Sequence, residues 1–362
     1  MKPKNLSKEN RRFIHGSMII NATAGSLNLG KDGIKRVTTM GENGQKVTFS
    51  YLSGQFIKAK IKEILIENGE TLSLPEIIEE SGTKKTPTTS CNPFKYIDDD
   101  LFGYMNVIES GKHINPGTTR IAPFKISYFL GKEGDLTRDY GVKQNGALVD
   151  GKLTTRPLDD NNRYFASTSY SGCFSFDVNN CGRFYRGNIA GFKNLSKNFP
   201  IEDYKNIIEN EHSDDVEIVL KENIRSERIQ KIIKTLPYLS GGAHRSTVYT
   251  DLSPKFVVYC VTNSGNHLFQ EIASIYEHFN INSLIEAVSD FRENLKSDIF
   301  IALKNGFLES KRNEILNALI EYNKNEKNIY KFNFEKDLGG INTISKKFAD
   351  EIIPDLLKIQ NI

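Results

Sequence analysis

The chain has 362 residues, of which 38% are hydrophobic and 26% charged, and its net charge is +3. Such a chain buries a large core as one elaborated domain or two, and no apolar run approaches the length that spans a bilayer. Cys91, Cys173, Cys181 and Cys260 stand far apart without C-x-x-C spacing, which excludes a disulfide framework and a cysteine zinc site. The N-terminal stretch MKPKNLSKENRR lacks the apolar segment of a signal peptide, so a cytoplasmic protein is expected.

Charge is unevenly distributed. Residues 1–62 carry twelve Lys and Arg against three acids, a net +9, which leaves the rest of the chain at −6. A basic segment on an acidic body is the electrostatic footprint of a polyanion binder.

Residues 13–28 read as a strand, with Met18, Ile19 and Ile20 as its apolar run and Ala22, Gly25 and Ser26 small enough for close backbone approach. A loop rich in Gly and cations follows from Leu29 to Gln45 and includes Lys31 and Asp32. It lacks G-K-[ST], so nucleotide hydrolysis finds no support.

The stretch Tyr51–Glu67 then places Ile57, Ile61, Ile64 and Leu65 at i, i+4, i+7 and i+8, one buried helical stripe. Gln55, Lys58 and Lys62 fall together on a side away from that stripe. Ser53 and Gly54 open the helix, and a helix N-terminus offers free N–H groups to an anion. Ser53, Gln55, Lys58 and Lys62 together make a surface suited to holding phosphate. Removing the two lysine charges is expected to leave the core intact.

Residues 68–160 are punctuated by prolines and show no strong periodicity, the pattern of an insertion. Its triple acid Asp98-Asp99-Asp100 reads as the acidic first turn of a helix or a solvated face rather than a metal site. Residues 164–178 alternate as a strand whose aromatics Phe165, Tyr170, Phe174 and Phe176 read as core more than as a base-stacking platform. A helix is predicted at about 223–236, before Pro237. The turn LSGGAHRST (239–247) carries Gly241, Gly242, His244 and Arg245, and strands are expected at Thr247–Tyr249 and Lys255–Val261. The tail from Gly265 on reads as mostly helical. This order of elements makes an α+β chain and is compatible with a ferredoxin-like or RNA-recognition-motif-like core, one topology among a few.

Six blocks carry a resemblance: SLN (26–28), SGQFIKAKIKE (53–63), DDDLFGYM (98–105), APFKISYFLG (122–131), FASTSYSGCFSFDV (165–178) and LSGGAHRSTVYTDLSPKFVVY (239–259). In this order they resemble CRISPR-associated protein family seven, in its type I-B branch, the DevR autoregulator family. The resemblance implies a modified RNA-recognition-motif (ferredoxin-like) palm formed by residues 1–67 and 161–265, with a thumb-like insertion near 180–215. It further implies a finger insertion at 68–160, beside a helical C-terminal region at 266–362.

Copies of such a protein polymerise along the spacer of a CRISPR RNA as the backbone of a Cascade surveillance complex, beside the subunit capping the guide 5′ end, the large subunit and the small subunit. The target DNA strand is met through the guide, and neither a membrane nor a cofactor is involved. Guide-phosphate contacts would fall on Asn28, Lys31, Ser53, Gln55, Lys58 and Lys62, with Gly241, Gly242, His244 and Arg245 as a second backbone-contacting loop. No catalytic or metal site is expected. The competing readings are a metal-dependent RNA endonuclease subunit of type III kind, using Asp32, and a nucleic-acid-binding autoregulator.

Overall fold

A strand whose two faces are both buried has to sit in the middle of a sheet, and β1 (Phe13–Gly25) is such a strand. Ile14, Met18 and Ile20 enter one core, and Ile19, pointing the opposite way, enters another. The computed structural model describes residues 7–25, 27–30, 33–41, 43–79, 85–108, 113–132, 136–138, 142–157, 164–186, 193–209, 217–242, 250–273, 277 and 279–358.

In chain order the main elements after β1 are β2 (Arg36–Met40), β3 (Lys46–Leu52), α1 (Gly54–Glu67) and α2 (Ile97–Phe102). Then come β4 (Phe124–Ile126), β5 (Phe129–Leu130), β6 (Leu136–Arg138), β7 (Tyr164–Asp177), α3 (Glu222–Thr235) and β8 (Pro254–Thr262). The C-terminal part supplies α4 (Ile281–Asp290), β9 (Ile299–Leu303), α5 (Arg312–Lys324), β10 (Phe332–Asn333), α6 (Ile341–Glu351) and α7 (Ile353–Lys358).

Among the described residues the ten strands form one mixed sheet in the order β10-β9-β8-β1-β7-β5-β3-β2, with β4 and β6 also paired to β7. Every pairing is antiparallel except β9 with β10. β1 lies between β7 (Ile19 opposite Ser171) and β8 (Ile19 opposite Phe256). Two glycines let rings lie flat across neighbouring strands. A Cβ on Gly16 would stand 2.2 Å from the Phe174 ring, and one on Gly172 would stand 2.3 Å from Phe129.

The face that receives Met18, Tyr170 and Phe174 is covered by α1, α3, α6 and α7, through Ile57, Ile61, Ile229, Ile233, Phe348 and Leu357. Each such fully buried aliphatic side chain contributes about 1.5–3 kcal/mol relative to exposure. Toward β8 and β9 the opposite face is covered by α4 and α5, whose Leu284, Val288, Ile315 and Leu319 meet Phe256, Val258 and Ile301. The tail is therefore more than helical, since it adds two strands to the sheet and closes both of its faces. A third, aromatic core gathers Phe94, Phe184, Phe199 and Leu220 beside the short strand pair Arg183–Tyr185 and Glu217–Val219.

Two expectations need correction. The Leu29–Gln45 segment is more than a loop, because Arg36–Met40 pairs with Lys46–Leu52 across the Gly41–Gln45 turn. Val37, Thr38, Thr39, Val47 and Phe49 are the β-branched and aromatic residues that favour this hairpin. The triple acid does open a helix, but it forms no solvated face: Asp98, Asp99 and Asp100 are 2%, 2% and 0% exposed.

Each buried carboxylate has partners, as low-dielectric burial demands. Asp98 accepts from Lys62 Nζ and the Ser73 N–H, and Asp99 from the Thr89 hydroxyl and the Asn92 N–H. Asp100 joins Arg120 and Arg228 and accepts from the Gly182 N–H. Burial pushes the Asp99 carboxyl above its ordinary range, against the pull of the Asn92 N–H. Ile97, Leu101, Phe124 and Phe129 share the core under α1 and α3, so this part of the 68–160 span is packed into the main core. Elsewhere the same span extends as the hairpins Glu76–Glu79 with Lys85–Thr88 and Val142–Val149 with Lys152–Pro157. No helix among the described residues is long and apolar enough to cross a membrane. All four cysteines are free.

Candidate nucleic-acid interface

The start of α1 is built by its sequence. Ser53 caps the helix, its hydroxyl accepting from the Phe56 N–H at 3.2 Å, and it is buried. At Gly54 the missing side chain allows close approach, because a Cβ there would stand 3.0 Å from the Ile126 carbonyl oxygen. The helix start therefore seats against the backbone that leads from β4 into Tyr128. Tyr51, at the end of β3, meets Tyr128 with ring centroids 5.0 Å apart, and Tyr128 is 57% exposed.

Asn28 is buried and works inward, its side-chain amide donating to the Tyr51 carbonyl at 3.2 Å. Its own carbonyl accepts from the Lys35 N–H at 2.8 Å, and the Lys35 carbonyl accepts from the Tyr51 N–H. The exit of β1, the hairpin β2–β3 and the first turn of α1 are thus tied into one edge.

Along α1, Gln55 is exposed while Lys58 and Lys62 are half-buried. Both amines lie over the Phe102 ring, at 5.4 and 5.7 Å from its centroid. They differ in what else they touch. Lys62 Nζ is 2.7 Å from Asp98 Oδ2, whereas Lys58 has no carboxylate partner among the described residues. Burial, and then repulsion from Lys62, bring the Lys58 amine down to about 8. Lys60, on the far side of the helix, is buried and pairs with Glu63.

The structure thus brings Asn28, Ser53, Gln55, Lys58 and Lys62 to one edge, with Asn28 and Ser53 in structural roles and Lys62 engaged inward. Gly241 (φ 103°) and Gly242 (φ 151°) take backbone conformations that favour glycine. A Cβ on Gly242 would stand 3.2 Å from Leu27, so this turn packs against the residue before Asn28. Lys31, Asp32, His244 and Arg245 lie outside the described residues. Among the described residues no group of three His, Cys, Asp or Glu is arranged to hold a metal ion.

Sequence reading missed Tyr51 and Tyr128. The only local signal for the latter was alternation, since Phe129 is buried and its neighbour must point the other way. The edge as built offers a cation without a carboxylate partner among the described residues, an exposed amide, a helix start and an aromatic pair of which Tyr128 is exposed. That set suits phosphate gripping and stacking on a base or ribose.

In structure, the chain is similar to a chain of a solved CRISPR RNA-guided surveillance complex in a pre-nicking state. The TM-score is 0.51 at 8% identity, covering 82% of this chain and 94% of that one, which is a likeness of fold. A chain of a second CRISPR RNA-guided surveillance complex aligns with TM-score 0.45 at 11% identity, covering 82% and 91%. No curated protein is matched by the sequence. The sequence profile of the CRISPR-associated negative auto-regulator DevR/Csa2 matches residues 33–277, about two thirds of the length, and the chain belongs to that family.

Proposed function

We propose that the chain is a backbone subunit of a type I-B Cascade surveillance complex. It polymerises along the spacer of a CRISPR RNA, holds the sugar–phosphate backbone without sequence preference and leaves the bases free to pair with target DNA. Its partners are the guide, further copies of itself, the subunit that caps the guide 5′ end, and the large and small subunits. The chain itself cuts nothing.

The observation that carries this reading is the edge at the start of α1, which carries Lys58, without a carboxylate partner among the described residues, the exposed Gln55 and the Tyr51–Tyr128 pair with Tyr128 exposed. Such a subunit must grip RNA of any sequence, so it needs cations and stacking surfaces rather than base-edge readers. Family membership supports the same reading, as does the +9 charge of residues 1–62.

The palm is proposed to be of the RNA-recognition-motif kind. In support, the central strands run β8-β1-β7-β4/β5, all antiparallel, with α1 after β1 and α3 between β7 and β8 on one face. That is the order of a β-α-β-β-α-β unit carrying insertions.

The test is assembly on RNA. Lys58→Ala, Tyr128→Ala and their combination are mixed with a guide-length RNA, and the size of the complex is followed by sedimentation at rising salt. The expected result is folded protein that assembles poorly, with a shallower salt slope. Assembly equal to the parent by the combined variant would overturn the assignment of this edge.

A further inference from the structure

A second surface, sharing no residue with the α1 edge, is built as an anion site. It is a groove of about 1000 Å³ with Val107, Ile108, Ile114 and Gly117 on one side and Arg186, Lys193, Ser196 and Lys197 on the other. Three cations line it, Arg186, Lys193 and Lys197, and among the described residues no Asp or Glu does. Arg186 and Lys193 stand directly opposite each other across an antiparallel bridge. Like charges so placed destabilise a strand pair unless something of opposite sign lies between them.

Two buried donors in the groove lack partners. Ser196 is 7% exposed and its hydroxyl makes no hydrogen bond, and the buried Arg186 Nε makes none either. Burial alone lowers the Arg186 guanidinium, with no neighbouring carboxylate to raise it again. Unsatisfied buried donors are rare, and each calls for a partner. Here hydroxyl, guanidinium and amine all ask for an acceptor that is negatively charged. On the rim Val107 and Ile114 are 63% and 41% exposed, giving apolar contact beside the cations.

We infer that this groove holds the sugar–phosphate backbone of a nucleic-acid strand, as a site separate from the α1 edge. Phosphates accept from Ser196 Oγ and Arg186 Nε and neutralise the Arg186–Lys193 pair, while sugar and base faces rest on Val107 and Ile114. Preferring a nucleic acid to an acidic peptide rests on the function proposed above; the anion site itself does not.

The variants are Lys193→Gln, Lys193→Glu/Lys197→Glu, and the matched charge control Lys327→Glu/Lys336→Glu on exposed lysines outside the groove. Lys193→Gln removes a like-charge contact, so its melting temperature should equal or exceed that of the parent. Binding is measured by fluorescence anisotropy against salt with three probes, single-stranded oligo-U alone, non-complementary single-stranded DNA added to the guide-loaded assembly, and polyglutamate. The double variant should lower the salt slope by about 0.7 per lost phosphate contact, and the control should not.

A loss confined to oligo-U assigns the groove to the guide, and a loss confined to the DNA arm assigns it to a second strand. No change in either arm overturns the inference. If both nucleic-acid arms hold while binding of polyglutamate falls, the groove takes acidic peptide and the inference is likewise overturned. Guide assembly of Lys58→Ala is read in parallel, so failure of the α1 edge and failure of the groove are told apart.

Discussion

Lys62 Nζ lies 2.7 Å from Asp98 Oδ2, and the side chain of that aspartate is 1% exposed. The lysine therefore neutralises a buried carboxylate that otherwise accepts from the Ser73 N–H. This revises the expectation that removing the charges of Lys58 and Lys62 leaves the core intact, because the two lysines on one face have different duties.

Lys62→Ala leaves Asp98 a buried charge without its cation, which costs about 1–3 kcal/mol. Lys58→Ala forfeits only the contact with the Phe102 ring, within about 1 kcal/mol. Urea denaturation should show a lower midpoint at unchanged slope for Lys62→Ala alone. Adding Asp98→Asn to Lys62→Ala should recover part of the loss, since it removes the uncompensated charge. Equal midpoints for the two lysine variants would contradict the pairing.

The Lys58 amine, brought down to about 8 by burial and by Lys62, gives the interface a pH dependence. The unfolded chain, with its amine near 10.5, binds more protons between about pH 8 and 10.5, so Lys58 penalises folding fully below that window and less as pH rises through it. RNA binding runs the other way, because only the protonated amine holds phosphate. Affinity for oligo-U should fall as pH rises through about 8, while Lys58→Arg should flatten that fall because guanidinium stays charged. A parent profile matching that of Lys58→Ala would remove Lys58 from the site.

Asp100, 0% exposed, binds Arg120 and Arg228, the latter reaching it from α3 through Nη1, which also donates to the Pro93 carbonyl, while Nη2 donates to the Phe94 carbonyl. Asp100→Asn strands two buried guanidinium groups and should cost about 3 kcal/mol or more. For a protein of this size that lowers the melting temperature by roughly 4 °C. Calorimetry of Asp100→Asn beside Asp177→Asn, a half-buried carboxylate outside the network, measures it. A loss no larger than that of Asp177→Asn would show the network to be dispensable.

A guide-loaded assembly given complementary RNA and Mg²⁺ should leave the RNA intact. The alternative places a metal-assisted Asp32 beside the guide, and one carboxylate among Lys31, Lys35 and Arg36 makes a weak metal ligand. Gel analysis of end-labelled target decides the matter. Regular cuts that vanish in Asp32→Ala would move the protein to the target-cutting class.

What the sequence determined by itself was local. Period 3.6 put Ile57, Ile61, Ile64 and Leu65 on the buried side of α1, and period 2 put Tyr170, Phe174 and Phe176 in the core of β7, because a residue's neighbours within one turn or one pleat fix its side. The helix predicted at about 223–236 lies at Glu222–Thr235, and Ser53 caps α1 as its residue type implied. The partners of charges and rings were decided only by the tertiary structure. Asp98 is 36 residues from Lys62 and Asp100 is 128 from Arg228, separations at which no periodicity speaks. A run of three acids reads as solvated because burying charge is costly, and only the arrival of Lys62, Arg120 and Arg228 from distant segments offsets that cost. The same long-range packing made Lys62 structural, left Lys58 without a carboxylate partner among the described residues, and set Tyr51 against Tyr128.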